Sequence, residues 1–127
     1  MPAFRMSPVL SELFEREMAE ARSLYRDGLL DQAFSHLETA HVIGQRFVAP
    51  HVRSHCFMLR IGLRRRSASE VWGQAVRIVL GALGSAVGLV PTGNTGGANV
   101  GMFRRLPVRP EVARLLAQAS DVQAPVR

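Results

Sequence analysis

The chain has 127 residues, sixteen Lys+Arg against ten Asp+Glu, and a net charge of +6, with 47% hydrophobic residues. That size fits one modest core, and the apolar fraction suits a globule and not a disordered chain. Every cation is arginine, so the basic balance has the look of compositional drift in a GC-rich bacterial genome and is weak ground for a nucleic-acid binder. No apolar leader follows Met1-Pro2-Ala3-Phe4-Arg5, and the single Cys56 cannot form an internal disulfide, so the expected compartment is the cytoplasm.

The charge is polarised: residues 1–40 carry four Arg against seven acids, and residues 41–127 carry twelve Arg against three. An acidic first segment can dock on the basic remainder, or the basic part can meet an anionic partner.

The expected architecture is all-α in a single domain over 1–127, with a helical core over about 8–90. Ser7-Pro8 supplies an N-cap and a first-turn proline, after which Leu10, Leu13, Phe14, Met18, Ala21, Leu24 and Tyr25 recur at helical spacing until Asp27-Gly28. A second helix from about Leu30 to Ile43 places Ala33, Leu37, Ala40 and Gly44 on one stripe, making a helical hairpin with the first. Leu24-Tyr25-x-x-Gly28-x-Leu30-x-x-Ala33 with Ala40 resembles one tetratricopeptide unit, but a single unit makes no solenoid.

Two further helices follow. Pro50 can sit in the first turn of a third helix running to about Arg66, and Ser67-Ala68-Ser69-Glu70 is a capping box that opens a fourth, Val71 to about Leu89. The fourth is largely apolar, so it is expected to be the buried centre of the bundle, with Gly81, Gly84 and Gly88 admitting close neighbours. Its charge-free run from Ile78 to Val90 is too short to span a bilayer. A long Gly/Asn-rich loop occupies 91–109, then a short C-terminal helix 110–119 and a frayed tail 120–127.

All four histidines fall in the second and third helices, as His36-x-Glu38-x-x-His41 and His51-x-x-x-His55-Cys56. On an α-helix Glu38 and His41 stand about 60° apart and His51 and His55 about 40° apart, so each pair can address one point. Antiparallel docking of the two helices would then gather Glu38, His41, His51 and His55 as a metal site, whereas His36, about 140° from His41, is peripheral. Three imidazoles and a carboxylate suit a divalent transition metal, zinc or iron foremost. If Glu38 is not a ligand, it is the candidate catalytic residue, a general base on metal-bound water. Cys56 lies about 100° from His55 and reads as a small buried hydrophobe. The bland alternative is that these histidines only hydrogen-bond within a core network.

Gly93-Asn94-Thr95-Gly96-Gly97 lacks the ending of a phosphate loop and reads first as turns. It can also fold over the histidines, with Asn94 and Thr95 supplying contacts to a substrate or to a metal ligand. Arg64-Arg65-Arg66 complements a helix dipole, and no nucleic-acid motif accompanies it.

The order His-Leu-Glu-x-Ala-His (36–41), His-x-x-x-His (51–55), Gly-Gln (73–74) and Pro-x-Gly-Asn-Thr-Gly (91–96), before a Pro-flanked terminal helix, resembles a short bacterial domain-of-unknown-function family, catalogued as thirty-seven-oh-three. The resemblance runs from about residue 10 to 118 and implies boundaries without naming a reaction. The functional expectation is a small cytosolic metal-binding protein, with a metal-dependent enzyme as its extension and an unidentified small molecule or protein as partner. The alternative is a non-enzymatic interaction module built on the tetratricopeptide-like hairpin.

Overall fold

The computed structural model describes residues 5–89, 94–98, 101 and 104–121, the side chains of the last three excepted, and all regular structure among them is helical. Five helices follow in order: α1 (Pro8–Arg26), α2 (Leu30–Gly44), α3 (Val48–Arg64), α4 (Ala68–Ala86) and α5 (Pro110–Asp121). Parts of the glycine-rich loop, Gly93 among them, and the tail from 122 lie outside the described residues.

Local chemistry sets the helix ends. The Ser7 side chain accepts from the Leu10 amide at 3.2 Å, and Pro8 takes the first turn of α1, where its missing N–H costs nothing. Gly28, at φ +79°, makes the left-handed step that returns α2 along α1. Ser67 accepts from the Glu70 amide at 3.3 Å to open α4, after Arg66 has taken φ +54°.

The helices are layered in chain order. α2 lies between α1 and α3, α4 packs on α3, and α5 touches α1 and α2. The apolar core draws Leu13, Phe14, Met18 and Ala21 from α1, Ala33, Leu37, Ala40 and Ile43 from α2, Phe57, Met58 and Ile61 from α3, and Val112 from α5. Gly44 lets the α2–α3 corner close: a Cβ there would lie 2.8 Å from Pro50 Cβ and 3.0 Å from the Phe14 ring.

No α4 residue belongs to that core, which corrects the expectation of a buried central helix. The buried residues of α4 are Gln74, Arg77 and Ser85, while Trp72, Val79 and Leu83 face solvent at 73%, 60% and 61% exposure. The reason is what α4 faces. Its contact side meets a set of buried imidazoles on α3, which require polar partners, so its apolar residues fall on the outer side. Cys56 is also corrected, being exposed and not buried. At about 100° from His55 it has turned off the inward stripe of α3.

Candidate metal centre

Three histidines meet where α2, α3, α4 and the segment Asn94–Ala98 converge. His41 comes from the last turn of α2, and His51 and His55 from successive turns of α3; their exposures are 3%, 5% and 2%. One ring nitrogen from each lies within 4.8 Å of the others, so the group could hold a metal ion. The ring centroids stand 4.6 to 4.9 Å apart, with His41 edge-on to both neighbours.

Each Nδ1 is already committed. His41 Nδ1 donates to the Asn94 carbonyl at 2.7 Å, His55 Nδ1 to Gln74 Oε1 at 2.7 Å, and His51 Nδ1 to Ser85 Oγ. The acceptor roles are fixed in turn. Ser85 gives its hydroxyl proton to the Gln45 carbonyl at 2.6 Å, and Gln74 gives an amide N–H to the Gly96 carbonyl at 2.9 Å, which directs its oxygen at His55. With the proton on Nδ1, a neutral ring presents a bare lone pair at Nε2.

The Nε2 atoms of His41 and His55 are 3.0 Å apart. Two bare lone pairs at that separation repel, and a proton between them would be needed to make the contact a hydrogen bond. Moving a proton onto either Nε2 of a neutral ring strips it from Nδ1 and sets that nitrogen against the Asn94 carbonyl or the Gln74 amide oxygen. A cation held between the two nitrogens would remove the conflict. Two imidazoles on a tetrahedral zinc, with bonds of about 2.0–2.1 Å, have nitrogens about 3.3 Å apart, close to the spacing here.

The rings are kept neutral. Burial pushes His51 and His55 down to about 4, the latter against the opposing pull of its Gln74 bond. Burial, then the neighbouring His55 and His51, holds His41 well below its ordinary 6.5. Neutral imidazole is the form that binds metal.

Two glycines make room for the cluster. A Cβ on Gly81 of α4 would stand 3.0 Å from His51 Cε1. One on Gly96 would stand 2.7 Å from His41 Cδ2, and Gly96 also has φ +82°. Asn94, 2% exposed, ties the segment down: its Oδ1 accepts from Gly96 N at 2.9 Å, and its Nδ2 donates to the carbonyls of Gly101 and Arg104 at 2.8 and 2.7 Å.

Glu38 does not stand in the group of three. Glu38 lines two other cavities, one with Arg65 and Ala98 and one with Thr95 and Arg109, while Asn94 and Gly96 line the cavity of the histidines. The segment 94–98 thus contributes to both sides, and the loop, not solvent, fills the space next to His41 that helical arithmetic had left for the carboxylate. Burial raises the Glu38 pKa, with Arg109 pulling the other way. His36 Nδ1 pairs with Glu17 Oε2 of α1 at 2.6 Å, on the far side of α2 from the cluster. Thr95 faces the Glu38 side.

Gln74, Ser85 and the Gln45 carbonyl carry roles that helix periodicity did not assign. A signal for two of them is present: Gln74, Gly81 and Ser85 lie within about 40° of one another on a mostly apolar helix.

The three histidines line a cavity of about 620 Å³, whose other lining residues include Leu80, Leu83, Val87 and Leu89. Arg77 and Arg105 also border it.

Fold and site together define an all-α protein with a buried triple-histidine cluster that could hold a metal ion. The chain belongs to the family described as Protein of unknown function (DUF3703), whose model matches residues 9–116. No curated protein and no solved structure matches it. Among the described residues, no helix is long and apolar enough to cross a membrane.

Proposed function

We propose that the protein is a small cytosolic metal-binding protein that coordinates one divalent transition metal through Nε2 of His41, His51 and His55. The observation that carries this reading is the 3.0 Å approach of two Nε2 atoms whose rings are both committed at Nδ1. A hydrogen-bonded core network would pair its donors with acceptors, and this one sets acceptor against acceptor. Three neutral nitrogen ligands without a carboxylate suit zinc or copper better than the carboxylate-rich sites of iron and manganese, and zinc is the foremost candidate.

With three protein ligands a bound ion would keep a further coordination position, and the histidines line the cavity of about 620 Å³. An enzymatic role would use that position, where a metal lowers the pKa of bound water toward about 7. Glu38 is not in this ligand set.

Elemental analysis of the protein purified without a histidine tag tests the reading. Near-stoichiometric metal is expected, and its loss in His51→Ala with His55→Ala; metal at trace level in both proteins after incubation with zinc would overturn it.

One observation favours an interaction module instead: the outward stripe of Trp72, Val79 and Leu83 on α4. That reading predicts that the double histidine variant keeps its associations while losing no metal, because none was held.

A further inference from the structure

Large apolar side chains stand open to solvent from Trp72 to Leu89: beside Trp72, Val79 and Leu83, these are Leu80, Val87 and Leu89 at 43%, 70% and 76% exposure. Together the six expose roughly 700 Å², above the largest apolar patch of a typical monomer and close to what one partner gives to a standard protein interface. No charge interrupts them. Glu70 and Arg77 are the charged residues of α4, and they lie about 180° and 160° round the axis from Val79. Glu70 is paired with Arg65 at 3.1 Å, and Arg77 is buried.

Trp72, Val76, Val79, Leu83 and Ala86 recur at alternating intervals of four and three, the spacing of a seam that packs against another helix. Among the described helices α4 packs on α3 alone, and that contact uses its polar side. The seam matches itself. When the helix is set antiparallel to a copy of itself about Val79, Trp72 faces Ala86, Leu83 faces Ala75 and Val76 faces Ala82, a large side chain against a small one at each level. Such self-complementarity is what a two-fold interface requires. Charge points the same way, because two chains of net charge +6 repel and approach best through a face that carries no cation. A membrane-surface helix instead carries cations along a solvated polar face, and the polar face of α4 is occupied by the histidines of α3.

From this charge-free seam and its size-matched halves, we infer that two copies of the chain pair through α4 as a two-fold antiparallel dimer centred on Val79. Trp72 of each copy is the anchor, seated over Ala86 of the other, as aromatic side chains at the centre of binding energy commonly are. Leu80, Leu83, Ala86 and Val87 also line the cavity of the histidines, so the interface and that cavity share four residues. The pairing buries apolar surface and does not depend on metal.

Sedimentation of the full chain from low micromolar to near-millimolar concentration tests the pairing, with a dimer expected in the micromolar range. Val79→Glu sets two like charges at the two-fold axis and should weaken the dimer about a hundredfold or more. Its helicity should be unchanged, because Val79 is exposed in the single chain. In a Cys56→Ser background, oxidation should link Val79→Cys into a covalent dimer and leave Trp72→Cys unlinked, since the two copies of position 72 lie about 20 Å apart along the paired helices. A monomer at every concentration, or a dimer that Val79→Glu leaves intact, overturns the assignment. Failure of Val79→Cys to link more readily than Trp72→Cys overturns the antiparallel register. A monomer that binds anionic phospholipid vesicles, with Trp72 fluorescence shifted to the blue, would give the stripe to a membrane surface and overturn the pairing as well.

Discussion

Gln74 and His55 are joined by a 2.7 Å hydrogen bond in which the imidazole Nδ1 donates to the amide oxygen, and the same amide holds the Gly96 carbonyl through its nitrogen at 2.9 Å. One side chain from α4 therefore orients a ring on α3 and anchors the segment that covers His41. It has no apolar function to perform, though it is 1% exposed.

Replacing Gln74 separates orientation from packing. Gln74→Met keeps the volume but leaves His55 Nδ1 and the Gly96 carbonyl without their partners. Two buried groups lose their bonds, so stability should fall by about 1–3 kcal/mol. Loss of a partner that orients a metal ligand typically costs ten- to a hundredfold in metal affinity. Chelator competition for zinc measures the second effect and urea unfolding the first; unchanged zinc affinity would remove Gln74 from the centre.

The histidines should divide into two kinds. His55→Ala removes a ligand and is expected to abolish zinc retention through desalting. His36→Ala removes only the half-exposed contact with Glu17 and should leave zinc stoichiometry unchanged, with stability altered by no more than about 1 kcal/mol. Glu38→Gln should also retain zinc, because Glu38 is outside the group of three and lines two cavities that the histidines do not. Zinc loss in the Glu38 variant would return the carboxylate to the ligand set.

Much of this arrangement was legible in the helical repeat. The stripe Ala33, Leu37, Ala40 follows from period 3.6, and each of the three is fully buried. Spacing alone also placed His51 and His55 on one face of α3. What spacing could not give was α4. Its sequence is apolar enough to read as core, but a helix facing imidazoles must turn its few polar residues inward, and that depends on its neighbour and not on its own composition. Glu38 stands outside the group of three for a related reason. Angular convergence on a helix says where a carboxylate points, and not that residues some sixty positions later in the chain will occupy the space beside His41.

Gly96 and Gly88 offer a controlled comparison of two left-handed glycines. Both have positive φ, at +82° and +76°, but a Cβ on Gly96 would strike the His41 ring whereas one on Gly88 meets nothing within 4 Å. Gly88→Ala bears only the backbone strain, about 1 kcal/mol. Gly96→Ala adds displacement of the ring or of the Asn94 segment, and should destabilise by about 2–4 kcal/mol with loss of zinc affinity. Thermal unfolding of the two variants side by side checks the order, and equal shifts would show that segment 94–98 is not seated on His41.

Acid should destabilise the metal-free protein in a window set by the buried imidazoles. In the folded chain His51 and His55 titrate at about 4, and His41 well below 6.5, because burial disfavours their charged forms. In the unfolded chain they titrate near 6.5. At pH 7 both states are neutral there and nothing is gained or lost. As pH falls below 6.5 the unfolded chain takes up protons that the folded chain refuses, so stability declines until the folded rings themselves protonate near 4. The slope should approach about 1.4 kcal/mol per pH unit for each ring concerned, between pH 6 and 5, where carboxylates contribute little. Urea unfolding in the presence of chelator across that range measures it. The decisive comparison is His51→Ala with His55→Ala, whose slope must be shallower by close to two protons, whatever its absolute stability. An identical slope in the two proteins would mean that the rings are solvated and free to charge, and that the buried cluster does not persist without metal.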